Sequence, residues 1–142
     1  MTKQDTQLAA RFQGCLATSA RRLDRAIKAH YDDAFRPTGL KSTQVTLLVY
    51  IAGSDTPRAA DLTAPMGIDQ TTLSRNIDRL ISLGLVETET AEDARTKLLR
   101  LTKAGRAALR RALPLWQQAQ AQTESTLGSA LSNALVKSAQ HV

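Results

Sequence analysis

The chain has 142 residues, 42% hydrophobic but only 4% aromatic. That is enough for one domain, or one with helical extensions that pack on a partner, with a core of Leu, Ala, Ile and Val. The 19 Lys and Arg against 13 Asp and Glu give a net charge of +6, which suits nucleic acid, an anionic membrane or an acidic protein about equally. One cysteine excludes an internal disulfide framework, MTKQDTQLAARF lacks the apolar core of a signal peptide, and the longest apolar run, Leu47–Ala52, is too short to cross a bilayer; a soluble cytoplasmic protein with no membrane partner is expected.

Leu8, Phe12, Cys15, Leu16, Ser19, Leu23, Ile27, Tyr31 and Phe35 recur at steps of three and four. That is the period of a single long helix with one buried stripe, ended by Pro37 and turned by Gly39. A stripe of that length exceeds what one small domain can cover, so part of it is expected to meet a second subunit. Ser42 or Thr43 can cap the next helix, with Val45, Leu48, Val49 and Ala52 inward and Gly53 as its stop. Pro57 suits the first position of a short third helix marked by Ala60, Leu62 and Met66. Pro65 and Gly67 end that helix, with distortion expected in its last turn.

Asp69 is a good N-cap for a fourth helix that turns Leu73, Ile77, Leu80 and Ile81 inward and ends at Gly84. Its outward positions are Gln70, Thr71, Ser74, Arg75, Asp78 and Ser82. Leu85–Glu89 and Leu98–Leu101 read as short strands joined by a polar, turn-prone segment from Ala91 to Lys97. Thr102 caps a fifth helix with Leu109, Leu113, Trp116 and Ala119 or Gln120 on one side, kinked at Pro114. Gly128 breaks the pattern, and Leu131, Leu135 and Val136 mark a short terminal helix.

A polar-faced helix sized for the DNA major groove, followed at once by a hairpin with a basic tip, predicts a winged helix-turn-helix. The expected fold is mainly α with a small β-hairpin wing. It is a single domain over 1–142, with dimerisation helices at about 5–36 and 103–141 around a DNA-reading lobe at about 42–102. Thirteen of the nineteen cations are Arg, whose planar fork suits phosphate and base edges better than Lys.

The chain resembles the MarR family of bacterial transcription regulators over nearly its whole length. The resemblance rests on Gly39-Leu40, on Asp69-Gln70-Thr71-Thr72-Leu73-Ser74-Arg75, and on Leu80-Ile81-Ser82-Leu83-Gly84-Leu85-Val86. Asp93-Ala94-Arg95 and Leu101-Thr102-Lys103-Ala104-Gly105 complete it, in order and at matching spacing. Pro65 and the short C-terminal helix depart from the family pattern. The resemblance implies a homodimeric repressor on a pseudo-palindromic double-stranded operator, released by a small molecule, often an aromatic acid. No nucleophile–base set, Gly-rich phosphate loop or metal cluster appears in the chain, so no catalytic role and no cofactor are expected. The competing readings are a thiol-based redox repressor using Cys15 and a winged-helix protein-interaction module. Steep salt dependence would separate DNA binding from the last of these.

For the DNA site the candidates are Gln70, Thr71, Ser74 and Arg75 as readers, Arg95 in a minor groove and Lys97 on phosphate. Ser42 and Thr43, with Gln44, either bind phosphate through free backbone donors or only cap their helix. The resemblance assigns Asp93 to bracing the wing through a charge pair. Cys15 is either a buried small hydrophobe or a redox thiol, with Arg11 and Tyr31 as neighbours. Arg11, Tyr31 and Trp116 are candidates to line an effector cleft, Trp116 being equally suited to plain packing. Arg106, Arg110 and Arg111 read as a solvated face. His30 and His141 are not at metal-ligand spacing, so no metal is expected.

Overall fold

The computed structural model describes residues 2–142 and is helical apart from one hairpin. The first helical stretch is two helices, α1 over Lys3–Ala10 and α2 over Leu16–Phe35, where the apolar period predicts one. The interruption falls at Gly14, whose φ of +78° is left-handed and opens the intrahelical ladder while the sequence period runs on across it. Thr2 and Asp5 form a reciprocal capping box on α1, yet α1 buries no residue.

Helix α3 spans Ser42–Gly53 with Lys41, not Ser42 or Thr43, at its N-cap. Its buried side chains are Val45, Leu47, Leu48 and Ile51, whereas Val49 is 51% exposed and Ala52 is exposed as well. Helix α3 packs against α5, the hairpin and the later helix that carries Ala108 and Ala112, and its buried stripe is rotated from the one expected. A 3₁₀ turn at Ala59–Leu62 leads into the single turn α4, Thr63–Met66. Pro57 is not helical. Its carbonyl accepts the Leu99 N–H at 2.9 Å, and Arg58 bridges Leu98 antiparallel, so Pro57-Arg58 adds a short third edge to the hairpin.

Helix α5 runs Gln70–Ser82 from an Asp69 N-cap. Leu73, Ile77 and Leu80 are buried, while Ile81 is left 39% exposed at the rim. Strands β1 (Val86–Thr90) and β2 (Lys97–Leu101) pair antiparallel from Val86 opposite Leu101 to Thr90 opposite Lys97. Helix α6 follows over Lys103–Leu127, capped by Thr102, and Pro114 lies inside it without ending it. Helix α7, Ser129–Ala139, closes the described chain and also buries nothing. No helix is long and apolar enough to cross a membrane among the described residues.

One core joins Phe35, Leu40, Val45, Leu48, Ile51, Leu73, Leu80, Val86, Leu99 and Leu101. On α6 it is Ala108 and Ala112 that enter this core, while Leu113 and Trp116 stay 53% and 44% exposed. Small side chains let α6 come close, and the larger ones are displaced to its flank. Gly105 marks the tightest approach: a Cβ there would stand 2.0 Å from the Leu85 carbonyl oxygen. The start of α6 therefore rests directly on the base of the hairpin.

Candidate nucleic-acid interface

The first two turns of α5 carry the four expected reading residues on one surface. Gln70, Thr71, Ser74 and Arg75 are all exposed, because the opposite face is committed to Leu73, Ile77 and Leu80. Asp69 starts the helix by accepting the Thr72 N–H at 2.8 Å and the Thr72 hydroxyl at 3.0 Å. Those bonds hold its carboxyl below the ordinary carboxylate range, so the cap is charged near neutral pH. Asn76 turns back to the Thr72 carbonyl at 2.8 Å and is spent within the helix.

The hairpin tip has a defined shape. Asp93 accepts hydrogen bonds from the Thr96 hydroxyl (2.7 Å), the Thr96 N–H (2.9 Å) and the Arg95 N–H (3.1 Å). These bonds, the Thr96 hydroxyl first, push its carboxyl down, with a smaller contribution from the charge of Arg58. The brace expected of Asp93 is thus a hydrogen-bonded turn, and no ion pair of Asp93 occurs among the described residues. Ala94 takes a φ of +56° at the apex, and Arg95 follows it, exposed. Lys97 is the first residue of β2, paired with Thr90 and exposed. The acidic strand face is masked: Arg100 reaches Glu87 at 3.1 Å and Glu89 at 3.4 Å. Such half-exposed pairs add little stability, but they neutralise carboxylates that would repel a phosphate backbone.

Ser42 and Thr43 stand elsewhere than expected. The Ser42 N–H is taken by Asp32 Oδ1 at 2.6 Å, and the Lys41 N–H by Gln44 Oε1 at 3.0 Å. The Ser42 donor assumed free at the start of α3 is therefore occupied, and the Ser42 and Thr43 side chains line a cleft.

That open cleft, about 980 Å³, lies between α2, α3 and α6. Tyr31 and Trp116 line it as expected, and Arg11, beyond the break at Gly14, does not. Its cations are Lys28, Arg106 and Arg110, the last two of which read from sequence as a solvated face. Their i, i+4 spacing showed that they share a side of the helix; which side faces the cleft depends on how α6 packs. Burial raises the Tyr31 hydroxyl's pKa, and the hydroxyl donates to Gln120 Oε1, tying α2 to α6.

Cys15 is neither buried nor on a packed stripe: it is the exposed N-cap of α2. Its side chain makes no capping hydrogen bond, but the polar N–H and hydroxyl of Thr18, and then the N–H of Ala17, at the start of the helix favour the thiolate and hold its thiol below the ordinary cysteine value. Among the described residues no group of three or more His, Cys, Asp and Glu gathers as a metal cage.

The sequence profile of the MarR family matches residues 38–96. No curated protein matches the chain. Among solved structures, the M. tuberculosis transcriptional regulator MosR in complex with DNA is 36% identical, with a TM-score of 0.78 over 89% of this chain and 95% of that one. A second MosR structure is 34% identical, with a TM-score of 0.79 over 92% of this chain and 96% of that one. BpsR of Bordetella bronchiseptica, described for regulation of its DNA binding by 6-hydroxynicotinic acid, is 23% identical, with a TM-score of 0.80 over 92% of this chain and 94% of that one. At that identity it shows a common fold.

Proposed function

The chain belongs to the MarR family, and on that premise we propose that it is a DNA-binding transcriptional repressor acting in the cytoplasm as a homodimer on a pseudo-palindromic operator. One observation carries the reading. The exposed polar face of α5, Gln70, Thr71, Ser74 and Arg75, lies one short turn before a hairpin whose tip is clamped by Asp93 to present Arg95. Helix α5 would read base edges in a major groove, while Arg95 enters the adjoining minor groove and Lys97 meets phosphate. The 36% identity to a regulator crystallised with DNA supports the same use of these elements.

The second copy is argued from uncovered apolar surface. Leu8, Phe12 and Leu16 at one end, and Leu131, Leu135 and Val136 at the other, are 37–85% exposed on helices that bury nothing or lie beside the break. Packing them across a two-fold axis would set two copies of α5 one helical repeat apart, as an inverted-repeat operator requires. The cleft between α2, α3 and α6 is the place for a small aromatic effector, since a ligand there touches both the dimerisation helices and the reading lobe.

Fluorescence anisotropy with a labelled duplex from the region upstream of the gene tests the function. Tight binding that weakens steeply with salt is expected from a Lys/Arg-driven phosphate contact, together with competition by the same duplex and not by an unrelated one. Salt-insensitive association, or no preference for the upstream duplex, overturns the proposal. A second trigger, oxidation, is favoured by a specific observation: Cys15 is exposed and its thiol is shifted toward the reactive thiolate.

A further inference from the structure

The short third edge of the hairpin carries a cation. The Leu99 N–H donates to the Pro57 carbonyl at 2.9 Å, and Arg58 pairs with Leu98 across an antiparallel bridge. Residues paired across a sheet share a face, and neighbours along a strand alternate between faces. Pro57 is accordingly buried, and Arg58 is exposed in the row that runs through Leu98 to Glu89.

Arg58 is in no ion pair among the described residues. Glu87 and Glu89, on the same face, are both engaged by Arg100. Asp93 has spent its oxygens inside the wing tip, Oδ1 on the Arg95 and Thr96 N–H groups and Oδ2 on the Thr96 hydroxyl. After those hydrogen bonds, the charge of Arg58 also helps to lower the Asp93 pKa, which puts the guanidinium on the tip side of the edge. The Arg58 N–H already donates to Asp61 Oδ2 at 3.3 Å, so the side chain is what remains for a partner.

Its place in the fold selects that partner. Arg58 leads directly into the 3₁₀ turn at Ala59–Leu62, which packs on both α5 and β2. With α5 in a major groove and Arg95 in the adjoining minor groove, one sugar–phosphate strand passes between them. The connector that begins at Arg58 lies between the same two elements.

We propose that Arg58 is a further DNA contact, a guanidinium that clamps a phosphate of the strand passing between α5 and the wing tip. This rests on the reading of α5 and the wing as DNA-binding elements. The contact carries no sequence information and adds affinity for any duplex. A guanidinium can donate two parallel bonds to phosphate oxygens, where a Lys ammonium acts as a point charge.

The test is fluorescence anisotropy over a salt series, with the labelled upstream duplex and an unrelated one. Arg58→Gln should weaken both by the same factor, about tenfold, and flatten the log–log salt slope by about 0.9. Arg58→Thr, whose hydroxyl can cap the following turn, is a second neutral variant with the same expectation, so a misfolded Arg58→Gln still leaves the point decided. Combined with Arg95→Ala, either variant should cost its full factor again, because separate contacts add. Wild-type affinity and slope in the neutral variants overturn the proposal and leave the DNA-binding reading standing. A loss that vanishes in the Arg95→Ala background overturns it as well, since Arg58 would then only position the wing. Equal flattening in Arg111→Gln, on the exposed side of α6, also overturns it by reducing the effect to net charge. Salt-insensitive binding by the wild type overturns the DNA-binding reading, and this contact with it.

Discussion

Gly105→Ala should destabilise this protein, against the ordinary effect of the substitution. In an exposed helix interior, Ala in place of Gly gains about 1 kcal/mol. Here the new Cβ would stand 2.0 Å from the Leu85 carbonyl oxygen and 3.0 Å from its carbon, where ordinary contact begins near 3.4 Å. Leu85 cannot retreat easily, because its N–H donates to the Leu80 carbonyl at 2.9 Å and its oxygen accepts the Thr102 N–H at 3.1 Å. Thr102 in turn bonds the Gly84 carbonyl at 2.6 Å and caps α6 through the Gly105 N–H at 3.0 Å. Moving α6 away by more than an ångström gives up roughly two of these bonds, about 1 kcal/mol each, and adds overpacking strain of about 1–3 kcal/mol. After the propensity gain the net loss is about 2–4 kcal/mol. Urea unfolding at one fixed protein concentration reads it as a midpoint lower by about 1–2 M, taking a slope of about 2 kcal/mol/M. Gly53→Ala is the control: nothing lies within 4 Å of its Cβ position, and a gain of about 0.5 kcal/mol is expected. Wild-type or higher stability in Gly105→Ala would refute the proposed seating of α6 on the hairpin.

Arg95→Ala should weaken binding to every duplex and flatten the log–log salt slope by about 0.9, whereas Arg75→Ala should also lower discrimination between operator and unrelated DNA; unchanged affinity in both variants removes the site assignment. Asp93 has a depressed pKa, so its contribution to the wing-tip turn is present above the ordinary carboxylate range and is lost as pH falls through the depressed value. The Thr96 amide resonance should report that acid transition in the wild type and not in Asp93→Asn, and the same transition in both would exclude Asp93 as its cause. Alkylation of Cys15 by iodoacetamide should show a midpoint below that of a free thiol. A midpoint at or above the free-thiol value counts against the oxidation trigger, as does operator binding that peroxide affects equally in wild type and Cys15→Ser.

The elements that position the DNA face were legible because their signals are local. Asp69 and Thr102 announce two helix starts, and both side chains make the expected cap bond. The outward set on α5 followed from the 3.6 period alone, and the Asp93-Ala94-Arg95 apex followed from turn chemistry joined to the family resemblance. The core and cleft assignments that needed correction depended on which neighbour covers a residue. A period gives the spacing of a stripe but not the rotation of the helix about its axis, so Val49 and Ile81 read as core and are 51% and 39% exposed. Apolar periodicity also runs unbroken through Gly14, although the backbone turns there.

The sequence by itself determined where α5 and α6 begin, which side of α5 is polar and what stands at the wing tip, since capping, turn geometry and periodicity act within a few residues. Only the tertiary structure decided the cleft. Close packing admitted Ala108 and Ala112 to the core and left Leu113 and Trp116 at its edge. It set Arg106 and Arg110 beside Lys28, more than seventy positions away in the chain, and brought Asp32 onto the Ser42 N–H. Those placements follow from how closely α2, α3 and α6 can approach one another, a property of side-chain volumes meeting across the fold that no short stretch of the chain contains.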